Sequence, residues 1–571
     1  MRAGDAAAID VGPAPSRAAD PSLPQMEYLG QPAVVAGTAA ERVAVEAEVR
    51  AEGPVEAGLV ACWAYDEAYA LLVRAGEMLL CRYSPVDRDV MAARPLRRSG
   101  WLRLRLEAGG GRAAGSAGGV SLEAPDPEPL GPGLVGVVVN PLSSARGGRG
   151  RFRSFAATAP RPGVPAEPPA ARFAYRFAGA VVPDGAGYRA RVAARTMIPA
   201  PVSFEVAGDP GFRDARATAA RDPEGRLGSV RGWVEGLPGG AEVHWRPVAH
   251  VGGDRHPGPA ARLRTPPAPG APVRFAFGSC TTGRMRAYRS FARAASYRPA
   301  FFLHAGDWGY ANLTAYDHRA DHFHARWTRL MRAPGTAPLL DSTPLLLWQD
   351  DHDYQADNGW AATCAPYTVS AFDELHANPS DDYFDVRWGD VHVWCLDCRL
   401  HASDPDAPDD ARKTRLGQAQ KRWLLDGLAR SDAPVRVVAS AMALRDKVAD
   451  DPGWHNAYTT ERDELLAAFA AVDATVFVLS GDSHGQRLIH HHEFGDLFEI
   501  TSSGTDFPAG RGFGQGRNDR DHTLLYSART GFAVVDVGPA GPARAVTIRC
   551  IATDDGSVLF AKRLPVAARR S

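Results

Sequence analysis

The sequence predicts a multidomain chain in which two N-terminal all-β sandwiches precede an α/β layered domain. Three observations carry this. Strict apolar–polar alternation runs through the first third, as in Val43, Val45, Ala47 and Val49 and again in Trp101-Leu102-Arg103-Leu104-Arg105-Leu106, which is the period-2 mark of half-buried strands. Pro-rich stretches at Ala159 to Pro169 and at Thr265 to Gly270 punctuate the chain like linkers. From about residue 272 the texture changes to short apolar runs alternating with helical segments.

At 571 residues the chain is long enough for several domains. Residues 1–24 lack apolar periodicity and read as a flexible leader. Residues 25–160 hold the alternating strands, followed by Gly133-Leu134-Val135-Gly136-Val137-Val138-Val139 and a segment with Phe152 and Phe155. Their order resembles the concanavalin-like, laminin-G-type jelly rolls, and a module of that kind would offer a surface to a glycan or cell-wall polymer. Residues 170–266 predict strands near Phe173 to Phe177, Tyr188 to Ala194, Ser203 to Val206, Ser229 to Val234 and Glu242 to Pro247, a spacing that fits an immunoglobulin or fibronectin-type sandwich. In residues 272–571 the spacing predicts helices at Tyr288 to Ala295, Asp321 to Met331, Gln418 to Arg430 and Thr460 to Ala471.

Sixty-five basic against 66 acidic residues give a net charge of −1, so nothing in the overall charge points to nucleic acid or an anionic membrane. Any anionic substrate must be recognised locally. No stretch approaches the 18 or more apolar residues of a spanning helix, and no signal peptide is visible. As written the chain reads as cytoplasmic; a periplasmic or secreted location follows if the N-terminus is incomplete. The seven cysteines are scattered, without the spacing of a disulfide scaffold, and are expected reduced or buried.

The chemistry gathers after five apolar runs. Phe275 to Phe277, Phe301 to Leu303, Leu345 to Trp348, Val391 to Leu396 and Thr475 to Leu479 are followed by Ser279-Cys280, Gly306-Asp307-Trp308-Gly309-Tyr310, Asp350-Asp351-His352-Asp353, Asp397-Cys398-Arg399 and Gly481-Asp482-Ser483-His484. Open α/β sheets collect ligands at the carboxyl ends of their strands, so the five clusters are expected to converge. Asp307 and Tyr310, three apart on a sharp turn, could face one metal. A phenolate favours a hard trivalent ion, and Cys280 would add a thiolate.

With Leu416-Gly417-x-x-Gln420-x-x-Trp423-Leu424, these motifs in order resemble the PhoD-like alkaline phosphatases, a branch of the calcineurin-like metallophosphoesterases. The resemblance takes in the β-domain at 170–266 but not residues 1–160. It implies an α/β/β/α sandwich and hydrolysis of phosphate mono- or diesters by a metal-bound hydroxide. Iron(III) and calcium are the implied ions, with other divalent metals as substitutes. Asp307 would bridge, Cys280 and Tyr310 would hold the iron, Asp351 the second metal, and Asp482 and His484 would close the shell. His352 would protonate the leaving group, Arg399 would clamp phosphate oxygens, and Asn358, followed by Trp360, would contact substrate. The chain departs from the family at Asp353, where Glu is usual, at Gln349, and in lacking a twin-arginine signal. The alternative reading is a glycan- or polyanion-binding protein whose phosphatase domain has lapsed.

Three further motifs have plainer expectations. Cys395-Leu396-Asp397-Cys398 sits inside an apolar run and is expected to pack rather than bind zinc. His490-His491-His492 is expected to be a solvated run, since consecutive strand residues cannot all face one way. His318, His322 and His324, on a helix near the site, are expected at the surface or behind the ligands.

Overall fold

The computed structural model describes residues 7–11, 33–37 and 42–566, with 54, 65–66, 84–87, 98–99, 127–133, 142–147, 159–170, 198, 226–227, 282–288, 314–319, 334, 381, 446–451, 507–520 and 541–542 outside that description. The Ala159–Pro169 stretch read as a linker lies outside it. The N-terminal third is two six-stranded antiparallel sheets. Val45, Val49, Leu104 and Leu106 from one sheet and Leu59, Leu71, Leu80 and Val137 from the other share a single buried cluster, so the alternation seen in the sequence is the inward face of each sheet. One correction falls here. Ala7–Val11, read as part of a flexible leader, pairs antiparallel with Gly148–Thr158 at the sheet edge.

The second β unit opens with the hairpin Phe173–Asp184 and Gly187–Thr196, which with Ser229–Leu237 makes a three-stranded sheet. A second sheet is built on Val202–Ala207 and Glu242–Val251. This unit is not a loose appendage. Tyr175 and Phe177 pack with Phe323, Trp327 and Phe372 of the following region. Ala180 N–H donates to Ala377 O at 2.7 Å, and Arg191 reaches Asn378 O at 2.6 Å. The Asn378 side chain in turn accepts from Leu347 N–H at 3.1 Å, so the module braces a strand that leads into the acidic cluster.

Two mixed sheets form the rest. In one, Leu345–Trp348, Phe302–Ala305 and Val273–Gly278 run parallel, and Gly531–Ala540, Ala543–Ala552 and Val558–Pro565 extend it antiparallel. In the other, Val391–Leu396, Val435–Ser440, Thr475–Ser480 and Phe498–Ser502 are parallel, with antiparallel strands at both edges. Alternate residues of Val273–Gly278 serve different cores. Phe275 and Phe277 join Val437, Phe477 and Ile500 of the second sheet, while Ala276 faces Phe291, Phe302 and Trp327. Burial on both faces explains why these strands read as continuous apolar runs. The helices Arg289–Ser296, Ala320–Arg332, Gly417–Arg430 and Thr459–Ala470 start and stop within a residue of their sequence expectation. Pro366–Leu375, with Pro at its first turn, is a further helix that the periodicity did not mark. No helix among the described residues is long and apolar enough to cross a membrane.

Candidate metal centre

The parallel strands of both sheets deliver their carboxyl ends to one place. Pairing continues past the strands: Cys280 N–H donates to Gly306 O at 3.1 Å and Thr281 N–H to Asp307 O at 2.9 Å, locking the first two loops together. Gly306 is required there. Its φ is 78°, and a Cβ would lie 2.5 Å from the Asp350 backbone nitrogen, so the second and third loops meet only because position 306 has no side chain. Cys280, Asp307, Tyr310, Asp482 and His484 all take left-handed φ values, 59°, 59°, 49°, 65° and 39°. Such conformations cost about 1–3 kcal/mol each and persist where the surroundings over-determine them. Here each turns a side chain from the end of a strand into the shared centre.

Around Asp307 the donors fall into three overlapping sets: Cys280 with His484, Asp351 with His352, and Asp350 with Asp351 and Asp482. Within each set the donor atoms lie within 4.8 Å of one another, and Asp307 belongs to all three. Asp307 Oδ2 accepts from Tyr310 OH at 2.8 Å and from Cys280 Sγ at 3.3 Å, and Tyr310 OH is also 2.8 Å from His484 Nε2. Asp307 Oδ1 and Asp350 Oδ2 are buried with no hydrogen-bond partner. Three carboxylates face one fixed guanidinium: Arg399 Nε donates to Asp350 Oδ1 at 2.5 Å, and its Nη2 lies 3.6 Å from Asp351 and 3.7 Å from Asp482. Its Nη1 and Nη2 have no hydrogen-bond partner.

Such a concentration of buried negative charge must be met by cations or by protons. Burial, then the surrounding carboxylates, pushes Asp307 well above the usual carboxylate range. Burial also raises Asp350 despite Arg399, whereas at Asp351 Arg399 and His352 overcome burial and hold the carboxyl at about 2. The Cys280 thiol is pushed far up by burial and Asp307, and the Tyr310 phenol by burial, Asp307 and Cys280. Burial lowers His484 to about 3, so it is the neutral imidazole a metal needs. The donor chemistry fits two cations, with sulfur, phenol oxygen and imidazole on one side of Asp307 and oxygen donors on the other.

Two residues that sequence reasoning left unassigned hold the centre. Asp350 joins the carboxylate set directly. Asp353 accepts N–H bonds from Asp307 (2.6 Å), Trp308 (3.1 Å), Asp350 (3.2 Å) and the Trp327 indole (3.1 Å), tying two loops to one carboxylate. Both stand in the acidic run Asp350 to Asp353, but nothing in the spacing distinguishes ligand from brace. Asp397 plays a similar part for Arg399, accepting the Arg399 and Leu400 backbone N–H groups at 2.8 and 2.7 Å. Gln420, from the Leu-Gly-x-x-Gln motif, accepts from Asp397 N–H at 3.0 Å and donates to Asp397 O at 2.8 Å. His352 Nδ1 lies 2.9–3.0 Å from the Asn312 amide, and its ring stands 4.5 Å from that of Tyr310. Asn358, expected to contact substrate, donates its backbone N–H to Asp351 Oδ2 at 2.7 Å from a left-handed φ of 57°.

The family model of the PhoD-like phosphatases matches residues 275–510. Over that stretch the sequence is PhoD-like. Among solved structures, that of PhoD is 18% identical and superposes over 71% of this chain and 90% of its own with a TM-score of 0.57, a likeness of fold. A dimetal phosphatase from Danio rerio is 12% identical over 52% of this chain and 99% of its own, with a TM-score of 0.31. The carbohydrate-binding module CBM66 from Bacillus subtilis, 16% identical, covers 21% of this chain and 75% of its own with a TM-score of 0.18. No curated protein matches the sequence. Every motif residue by which the sequence resembles the PhoD-like phosphatases lies within the matched stretch.

The remaining motifs fall elsewhere. Cys395 and Cys398 are buried thiols outside any disulfide, as are the other five cysteines. The histidine run is not solvated throughout. His491 is fully buried and 3.0 Å from Glu499, because the chain leaves the strand there and turns its side chain inward. Of the helix histidines, His318 lies outside the described residues, and His324 is buried 3.4 Å from Arg195 of the second β unit, away from the carboxylates.

Proposed function

We propose that this PhoD-like phosphatase hydrolyses phosphate esters at a two-cation centre bridged by Asp307. The observation that carries the reading is that Asp307 belongs to all three donor sets and keeps one buried oxygen unpartnered. Cys280, Tyr310 and His484 would hold the harder, iron(III)-like ion beside it; Asp350, Asp351 and Asp482 would hold the second, for which calcium fits an all-oxygen set. When bound, the ions supply Lewis acidity and a water of lowered pKa.

The chain's own residues do the rest. Arg399, held from behind through Asp350 and through Asp397 on its backbone, offers Nη1 and Nη2 to two phosphoryl oxygens as a planar fork. His352, at the mouth with 13% of its side chain exposed and oriented by Asn312, delivers a proton to the departing oxygen. The two sheets sharing one core, with helices outside, support an α/β/β/α layering of residues 272–571, preceded by sandwich modules at 25–160 and 170–266. The rival reading of a lapsed phosphatase finds no support, because each ligand position carries a competent donor.

A panel of nitrophenyl mono- and diesters, assayed beside elemental analysis and a visible spectrum of the same preparation, tests the proposal. Turnover that disappears on chelation and returns with metal is expected. A phenolate-to-iron charge-transfer band missing in Tyr310→Phe is expected with it. Unchanged turnover by metal-free protein would overturn the two-cation centre, and a colourless, iron-free, fully active enzyme would overturn the iron assignment alone.

A further inference from the structure

The histidine run that the catalytic centre does not use has a second arrangement of donors. After the strand Gln486–His490 and the inward-turned His491, the chain makes a 3-10 turn at His492–Phe494. His490 N–H donates to His522 O at 2.9 Å, which brings the residue just before Thr523–Ser527 against this turn. His492 and His522 stack with ring centroids 4.6 Å apart. Glu493 stands beside both, Oε1 at 2.7 Å from His522 Nε2 and Oε2 at 4.0 Å from His492 Nδ1. One donor atom from each of the three lies within 4.8 Å of the others. The site is open, with the His492 side chain 50% exposed, Glu493 42% and His522 9%.

We propose that His492, Glu493 and His522 form a second metal site, for a zinc-class divalent ion, which clamps the 3-10 turn to the start of the Thr523–Ser527 strand. Two imidazoles and one carboxylate are a nitrogen-rich, borderline donor set that suits zinc, nickel or copper, whereas calcium and iron(III) prefer the oxygen-rich centre. The register places it apart from that centre. His490 pairs with Phe498 and Gln486 with Ser502, so the cluster sits at the opposite end of the strand pair, about 14 Å along it at the usual rise. Other charges face it too. Arg445 Nη2 is 3.1 Å from Glu493 Oε1, and His490 is engaged by Gly495 O at 3.0 Å with Asp496 3.9 Å away. Arg445 occupies the oxygen turned from His492, the outer-shell partner that orients a ligating carboxylate, and leaves Oε2 for the ion. Parallel rings cannot both point at one ion, so His492, half in solvent, turns to bind.

Equilibrium dialysis of the full chain against Zn²⁺ with elemental analysis tests the site, because variants here leave the catalytic donors untouched. The wild type should hold one zinc more per chain than His492→Ala or His522→Ala, and Glu493→Gln should weaken that zinc at least tenfold. Hydrolysis of nitrophenyl phosphate by the metal-loaded variants should stay at the wild-type rate. A zinc-edge anomalous peak among the three side chains supports the site. Equal zinc content in wild type and His492→Ala, an exposed position where folding is not at stake, overturns it.

Discussion

Replacing Asp353 by Asn removes one charge and turns one acceptor oxygen into a donor while leaving the shape of the side chain. Its carboxylate now takes four N–H donors, from Asp307, Trp308, Asp350 and the Trp327 indole, in a site 2% exposed. If the amide keeps its oxygen toward Asp307 and Asp350, its NH₂ faces Trp308 N–H and the indole, two donors against a donor. Hydrogen bonds to a charged acceptor are worth about 1.5–3 kcal/mol each, so the two losses cost about 3–6 kcal/mol. Relief of repulsion with Asp350 returns part of this, and a net loss of about 3 kcal/mol is expected. For a domain of about 300 residues that lowers Tm by about 5 °C. Asp307 and Trp308 would no longer be pinned to the third loop, and a shift near 1 Å at a bridging ligand costs about 10²-fold in rate. The assay is thermal unfolding and nitrophenyl phosphate hydrolysis on metal-loaded protein at pH 8. A variant with wild-type Tm, kcat/KM and metal content would refute the view that Asp353 holds the two loops together.

Asp307→Asn is expected to lose both ions and turnover together, since a neutral amide withdraws charge shared by two cations; a folded variant with normal metal content and rate would remove the bridging role. His352→Ala should slow alkyl phosphates about 10²–10⁴-fold more than nitrophenyl esters, whose departing oxygen hardly needs a proton, and equal losses would assign His352 to another task. Stability of the chelated protein should fall as pH rises. Asp353 is raised by burial to about 7 and Asp307 and Asp350 are raised as well, so the folded state keeps protons that the unfolded chain releases above about pH 4. Each retained proton makes stability fall by about 1.4 kcal/mol for every step of one in pH, until the folded group itself ionises, near pH 7 for Asp353. Asp351, held at about 2, contributes the other way but only in acid, outside this window. Unfolding scans at pH 5 and pH 8 with and without metal check the sign; a chelated protein more stable at pH 8 would contradict it.

Short-range physics made much of this protein legible from its sequence. Alternation in Val43–Val49 marked a sheet with one buried face, apolar runs such as Leu345–Trp348 marked strands buried on both, and helical boundaries followed from periodicity. The polar residues after each run marked the ends where a centre could form, and their order pointed to the family. Other features depend on groups distant in sequence. Ala7–Val11 becomes a strand only because Gly148–Thr158 presents an open edge to it. Asp353 braces two loops because Gly306 lets its loop approach close enough for backbone N–H groups to reach it. His491 is buried and His492 exposed because the chain leaves its strand after His490 and enters a 3-10 turn at His492, and His522 meets His492 only through the register of a strand pair. The left-handed backbone at Cys280, Asp307, Tyr310, Asp482 and His484 has no sequence signal, since none is glycine. Local propensity is set by neighbours along the chain, but a strained conformation is held by contacts across it, so the sequence named the donors and the tertiary structure alone aimed them.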